Sequence, residues 1–120
     1  MFESVITVMK YYHDLLDAIF GLKKRGYNHD LDISLNGHVC INSSMEFKAD
    51  EFAIDEFYKF EGMFSIDDIS VIYAISLCNG VKGLLIDAYG ECQQKMSVSL
   101  LKKFTPYFNS DESLDSLIPT

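Results

Sequence analysis

Five carboxylates have the types and spacing that most plainly offer chemistry: Glu61, Asp67, Asp68, Asp87 and Glu91. All fall toward the open end of one pair of apolar segments, or in the loop leading into it. Clustered carboxylates hold a divalent cation such as Mg²⁺, or divide general-acid and general-base roles. The same residues also read as a solvated acidic loop on an acidic protein. That second reading gives the cluster no chemistry.

His29, His38 and Cys40 form a second set, with ligand types suited to zinc. They flank a hairpin, and the extended chain puts His29 about 20 Å from the tip that holds His38, at ~3.3 Å per residue. His38 and Cys40 alone fall short of a structural zinc. No metal site and no resident cofactor are expected. Cys40, Cys78 and Cys92 have no evident histidine partner for nucleophilic catalysis. The chain carries no GxSxG, GxxxxGK[ST] or GxGxxG.

The elements that position these residues start from Ser70 to Gly90, where two apolar runs flank Asn79-Gly80. This is the strongest local signal for a hairpin. A two-residue turn at Asn79-Gly80 places Val71, Tyr73, Ile75, Leu77, Leu84, Ile86 and Ala88 on one face. Ile72, Ala74, Ser76, Gly83, Leu85 and Asp87 then share the other, which is too apolar for a solvated face. One of the chain's own helices is expected to cover it, with a ligand or a second subunit as alternatives.

A second hairpin is expected around Asn36-Gly37. A three-residue loop, Asn36 to His38, pairs Ile33 with Ile41 and Leu35 with Val39 and gathers the apolar residues on one side. Residues 2 to about 25 read as a helix with one apolar stripe. The β-branched run Val5 to Val8 leaves a strand start as the alternative for the first ten residues. Ser43 to Phe52 reads as irregular, with one helical turn near Asp50, and Ile54 to Glu61 as a strand. Met96 to Phe104 reads as a short helix ended by Pro106.

The 120 residues fit one domain, and 48% apolar with 23% charged residues is an ordinary globular composition. Ten Lys and Arg against 18 Asp and Glu give a net charge of −8. That excess argues against nucleic-acid binding, which needs a basic patch. Lys23, Lys24 and Arg25 form the one basic cluster, at an expected helix end where the dipole favours cations. No apolar run approaches a membrane span. The odd count of three cysteines fits a reducing cytoplasm.

The segments LKKRGY (22–27), FEGM (60–63), SVIYAIS (70–76) and KGLLIDAYG (82–90) resemble, in that order, a group of short bacterial proteins frequent in Bacteroidetes. Those proteins carry the label phosphoribosylpyrophosphate synthetase, and the resemblance spans roughly residues 15 to 104. The label implies transfer of diphosphate from ATP to ribose 5-phosphate. True synthetases place a glycine-rich phosphate loop after an acidic pair. Here an apolar strand follows Asp67-Asp68, so the resemblance assigns no catalytic residue.

The expected fold is α+β. A single antiparallel sheet of about five strands, two hairpins plus one strand, is packed by an N-terminal helix and a short C-terminal helix. Residues 1–104 form the domain and 105–120 an acidic tail. The expected function is a non-catalytic cytoplasmic binding or self-association module, acting as a homodimer or with a protein partner. The competing expectation is an Mg²⁺-dependent nucleotide or phosphoribosyl enzyme using the acidic cluster.

Overall fold

The computed structural model describes residues 12–42, 44–61, 69–88 and 90–108, without the side chains of 61 and 108. Its elements in order are α1 (Leu15–Lys24), β1 (His29–Ile33), β2 (Val39–Ile41), β3 (Met45–Phe47), a 3-10 turn (Ala49–Glu51), β4 (Phe52–Glu61), β5 (Ile69–Leu77), β6 (Lys82–Ala88), α2 (Glu91–Lys95) and α3 (Val98–Phe108). The fold is α+β, built on one six-stranded sheet of order β3-β2-β1-β6-β5-β4. Among the described residues no helix is long and apolar enough to cross a membrane.

The sheet joins two three-stranded antiparallel meanders, β1-β2-β3 and β4-β5-β6. Their seam is parallel: His29 lies opposite Gly83 and Asp30 opposite Leu84. The sheet is therefore mixed and has six strands, where about five antiparallel strands were expected. β3 is too short, at three residues, to stand out from its surroundings. The seam forms between strands far apart in the chain, so no local pattern marks it. Its closeness depends on Gly83, where an added Cβ would lie 2.7 Å from the His29 carbonyl oxygen.

Both Asn-Gly pairs form hairpins, with one loop design. Leu35, Asn36 and Gly37 make the first loop, closed by Ser34 N–H to His38 O at 2.7 Å. Cys78, Asn79 and Gly80 make the second, closed by Leu77 N–H to Val81 O at 2.8 Å. Each glycine takes the left-handed φ, +82° and +92°, that ends a three-residue loop. The first loop sits one residue earlier than expected. That shifts its pairing by two and keeps the faces: Ile33 still shares a side with Val39 and Ile41. Leu35, expected in the core, stands exposed at the tip.

The second loop has a larger consequence. It has three residues, not two, so Tyr73 faces Leu85 and Val71 faces Asp87. A one-residue slip sends every β6 side chain to the opposite face. Leu85 and Asp87 join Val71, Tyr73 and Ile75, while Leu84 joins Ile72 and Ala74.

Both faces carry helices. On one, Cys92, Met96, Leu100 and Phe104 of the α2–α3 segment pack on Val71, Tyr73, Ile75 and Leu85. Phe104 meets Tyr73 edge-on at 4.9 Å between ring centroids. On the other, Ala18 and Leu22 of α1 pack on Tyr58, Ile72, Ala74 and Leu84. This is the expected cover from the chain's own helix. Asp14 caps α1 by accepting the Asp17 N–H at 2.8 Å.

The expected 2–25 helix is described from Leu15, and residues 1–11 lie outside the described residues. The helical turn near Asp50 is the 3-10 turn. α3 runs past Pro106 to Phe108. Proline removes one N–H bond in the last turn, which does not stop the helix there. Residues 105–108 thus belong to the folded domain and not to a tail, and 109–120 lie outside the described residues.

Candidate functional site

The five expected carboxylates have different fates. Asp67 and Asp68 lie outside the described residues. Glu61 ends β4, and its side chain is outside them too. Asp87 is 2% exposed and points under α2, where it accepts the Cys92 N–H at 3.1 Å. The N-cap of α2 is Gly90, which has no side chain to offer, so the strand supplies the acceptor. Burial raises the Asp87 carboxyl above its ordinary pKa, against the lowering by the N–H groups of Cys92, Gln93 and Gly90. Glu91 begins α2 on the exposed side, and its charge adds to that rise. Asp87 and Glu91 are thus neighbours, one buried and one in water.

Asp87 also belongs to a buried polar group with Tyr73, Cys92 and Tyr107. Burial first, then Asp87, raises the Tyr73 hydroxyl. Burial pushes the Cys92 thiol up to about 12, with further contributions from Asp87 and Asp32. The thiol donates to the Ile86 carbonyl at 3.5 Å. These groups seat α2 on β6 and keep Cys92 protonated and inert.

A second polar network was not foreseen. The β4–β5 register shifts between Ile54 and Glu56. A bulge leaves an extra residue and re-aims side chains. Asp55 and Glu56 thereby both face α1. Glu56 receives the forked Arg25 guanidinium, with Nη1 at 3.1 Å, and the Tyr58 hydroxyl at 2.7 Å. Arg25 also donates to the Tyr12 hydroxyl at 3.1 Å. Asp55 accepts from the Tyr27 hydroxyl at 2.8 Å and from Ser76. Lys82 lies over the Tyr27 ring at 4.4 Å. Arg25, expected as capping chemistry, does cap α1 through its N–H to the Leu22 carbonyl, and its side chain also ties the helix to β4. The partners satisfy one another, so this network docks α1.

The feature left open lies beside α1. The helix covers β4, β5 and β6, and none of the described helices covers β1, β2 and β3 on that face. There Asp32, Cys40 and Glu46 stand opposite one another across the three strands. Asp32 and Glu46 are exposed and Cys40 between them is buried. Glu46 accepts from Asn36 Nδ2 at 3.2 Å and lies 2.9 Å from His38 Nδ1. These bonds from His38 and Asn36 hold its carboxyl below the usual value. With Ile33, Ser34, Leu35 and Asn36 they line a surface cavity of about 440 Å³. No Lys or Arg occurs in β1 through β3. The signal was present in the sequence: Asp30, Leu31, Asp32 and Ile33 alternate with period two, which marks one buried and one open face.

Among the described residues no three His, Cys, Asp or Glu side chains group as a metal site. His29 sits in the parallel seam, away from His38 at the first hairpin tip. No protein-family model, curated protein or solved structure matches the chain.

Proposed function

We propose that this protein is a non-catalytic binding module that works through the half of its sheet that α1 leaves open. The carrying observation is the β1–β3 face that none of the described helices covers, with its acidic row and 440 Å³ cavity, beside the β4–β6 half on which α1 packs. A two-faced sheet normally hides both faces. Self-association is the favoured use and a separate protein partner the other. Asp87 speaks against the competing Mg²⁺-dependent nucleotide or phosphoribosyl enzyme. Its carboxylate is engaged under α2 and closed to a substrate.

The test is backbone and side-chain NMR on the full chain, titrated with itself and then with Mg²⁺ plus ATP and ribose 5-phosphate. The binding reading expects concentration-dependent shifts at Asp32, Cys40 and Glu46. Shifts at Glu61, Asp67, Asp68 and Glu91 with release of AMP would overturn it and support the synthetase label.

A further inference from the structure

We propose that α2 is a latch that opens locally once Asp87 is ionised, and that its far end carries the opening to the β1–β2 loop. This device holds whether or not the open half-face binds a partner. α2 is a weak element by construction. Its five residues are too few for a helix to stand alone. Cys92 is buried, while Glu91, Gln94 and Lys95 are exposed. Units with few buried contacts open at less than the cost of global unfolding. The chain before α2 suits such a motion. Gly90 takes a φ of +75°, and a Cβ there would meet nothing within 4 Å. Met96 follows the helix in extended backbone and returns the chain to the core.

A hydrogen bond holds each end of this segment. At the start, Asp87 accepts the Cys92 N–H at 3.1 Å, in place of the cap that Gly90 lacks. At the end, the Met96 N–H closes α2 onto the Gln93 carbonyl at 3.2 Å, and the next N–H, of Ser97, donates to the Gly37 carbonyl at 3.1 Å. That last contact is close, since a Cβ at Gly37 would lie 2.4 Å from the Ser97 nitrogen. Gly37 sits between Asn36 and His38, and both of these bond Glu46 of β3. A continuous line of contacts therefore runs from Asp87 through α2 to the β1–β2 loop. Coupling between distant groups needs such a line and an element with two arrangements, and α2 is that element.

Asp87 supplies the pH dependence. It is buried under α2. Among the described residues, the groups that act on it directly are Glu91 and the Cys92 thiol of α2 and the Tyr73 hydroxyl of β5. Behind these stand Tyr107 of α3, which acts on Tyr73, and Asp32 of β1 and Lys95 of α2, which act on Cys92. Lys59 of β4 lies two strands away, on the far side of Val71. Burial and the Glu91 charge disfavour the carboxylate while the latch is closed. Opening lets water reach it and relieves both. The closed latch thus holds the proton more tightly than the open one. Closure is favoured most below 3.8, and opening rises with pH until it levels off past the value of the closed state.

The test is amide hydrogen exchange of the full chain, followed by NMR between pH 3 and pH 8, with the intrinsic exchange rate divided out at each pH. In the wild type, the Cys92 and Ser97 amides are expected to open more readily than the Tyr73 amide at the centre of β5, at every pH. Their opening is expected to be several times greater at pH 7 than at pH 4. Asp87→Asn keeps an acceptor oxygen for the Cys92 N–H and is expected to lose that rise at both amides. His38 and Glu46 bring their own titrations to the loop in both proteins, so the latch is the part of the Ser97 response that Asp87→Asn removes. A Cys92 amide as protected as Tyr73 would overturn local opening, and this wild-type comparison stands whatever the stability of the variant. A Cys92 rise that survives Asp87→Asn would overturn the role of Asp87. A Ser97 response untouched by the variant, with that of Cys92 lost, would overturn the link to the loop.

Discussion

Asp87 is the residue whose removal tests the fold and the fate of the acidic candidates together. Its carboxylate is 2% exposed and holds the N-terminus of α2, with the Cys92 N–H at 3.1 Å. Asp87→Ala leaves that buried donor without its acceptor. The cost is about 1–3 kcal/mol for a buried group stranded in this way. In a domain of this size that is a fall in Tm of roughly 4–12 °C. Asp87→Asn keeps an acceptor oxygen and removes the charge that burial disfavours. The folded carboxyl lies above its ordinary value of 3.8, so the folded state binds the proton more tightly than the unfolded chain. Stability from this group is then fully present below 3.8 and is lost as pH rises through the folded value. The Asn variant is expected to match or exceed wild type at pH 7 and to lose that standing as pH falls toward 3.8. Urea titrations of all three proteins between pH 3 and pH 8 measure both effects. An Asp87→Ala protein within about 0.5 kcal/mol of wild type would refute the seat under α2, since that is the scale of a surface change. A wild-type-to-Asn difference that does not vary with pH would refute the ionisation argument.

Further outcomes follow from other contacts. Gly37 and Gly80 share a left-handed φ, but a Cβ at Gly37 would lie 2.4 Å from the Ser97 nitrogen while at Gly80 it would meet nothing within 4 Å. Thermal unfolding should therefore show Gly37→Ala losing clearly more than the ~1–2 kcal/mol of conformational cost expected at Gly80→Ala. Arg25→Ala should cost on the order of 1–3 kcal/mol in urea unfolding, because the Glu56 side chain it leaves is only 12% exposed. Arg25→Lys, which cannot make the fork, should fall between the two. Under native conditions a thiol reagent should modify Cys78 alone, since Cys40 and Cys92 are buried; rapid modification of Cys92 would contradict its protonated, buried state.

Much of the fold was legible because its signals are local. The two Asn-Gly pairs, the apolar stripe of α1 and the turn near Asp50 each follow from a few neighbouring residues. The β6 register was not legible, for a physical reason. Val71–Ile75 and Gly83–Leu85 are buried on both sides, so Leu84 and Leu85 are equally apolar and period-two contrast disappears. The choice between a two- and a three-residue loop then rested on Asn79-Gly80, which suits both. That slip moved Asp87 from a candidate cluster to a helix seat. The β1–β6 seam and the bulge that turns Asp55 and Glu56 toward α1 depend on distant partners. The open acidic row was visible as alternation in β1. Its exposure depends on where α1 stops, which no local pattern records.

The most direct measurement is carboxylate footprinting of the full chain by carbodiimide labelling and mass spectrometry, at low and high protein concentration and with Mg²⁺ and nucleotide. If the open half-face is the contact surface, Asp32 and Glu46 lose reactivity as concentration rises while Glu91 does not change. Protection of Asp67, Asp68 and Glu91 by Mg²⁺ and nucleotide, with Asp32 and Glu46 equally reactive at every concentration, would contradict it.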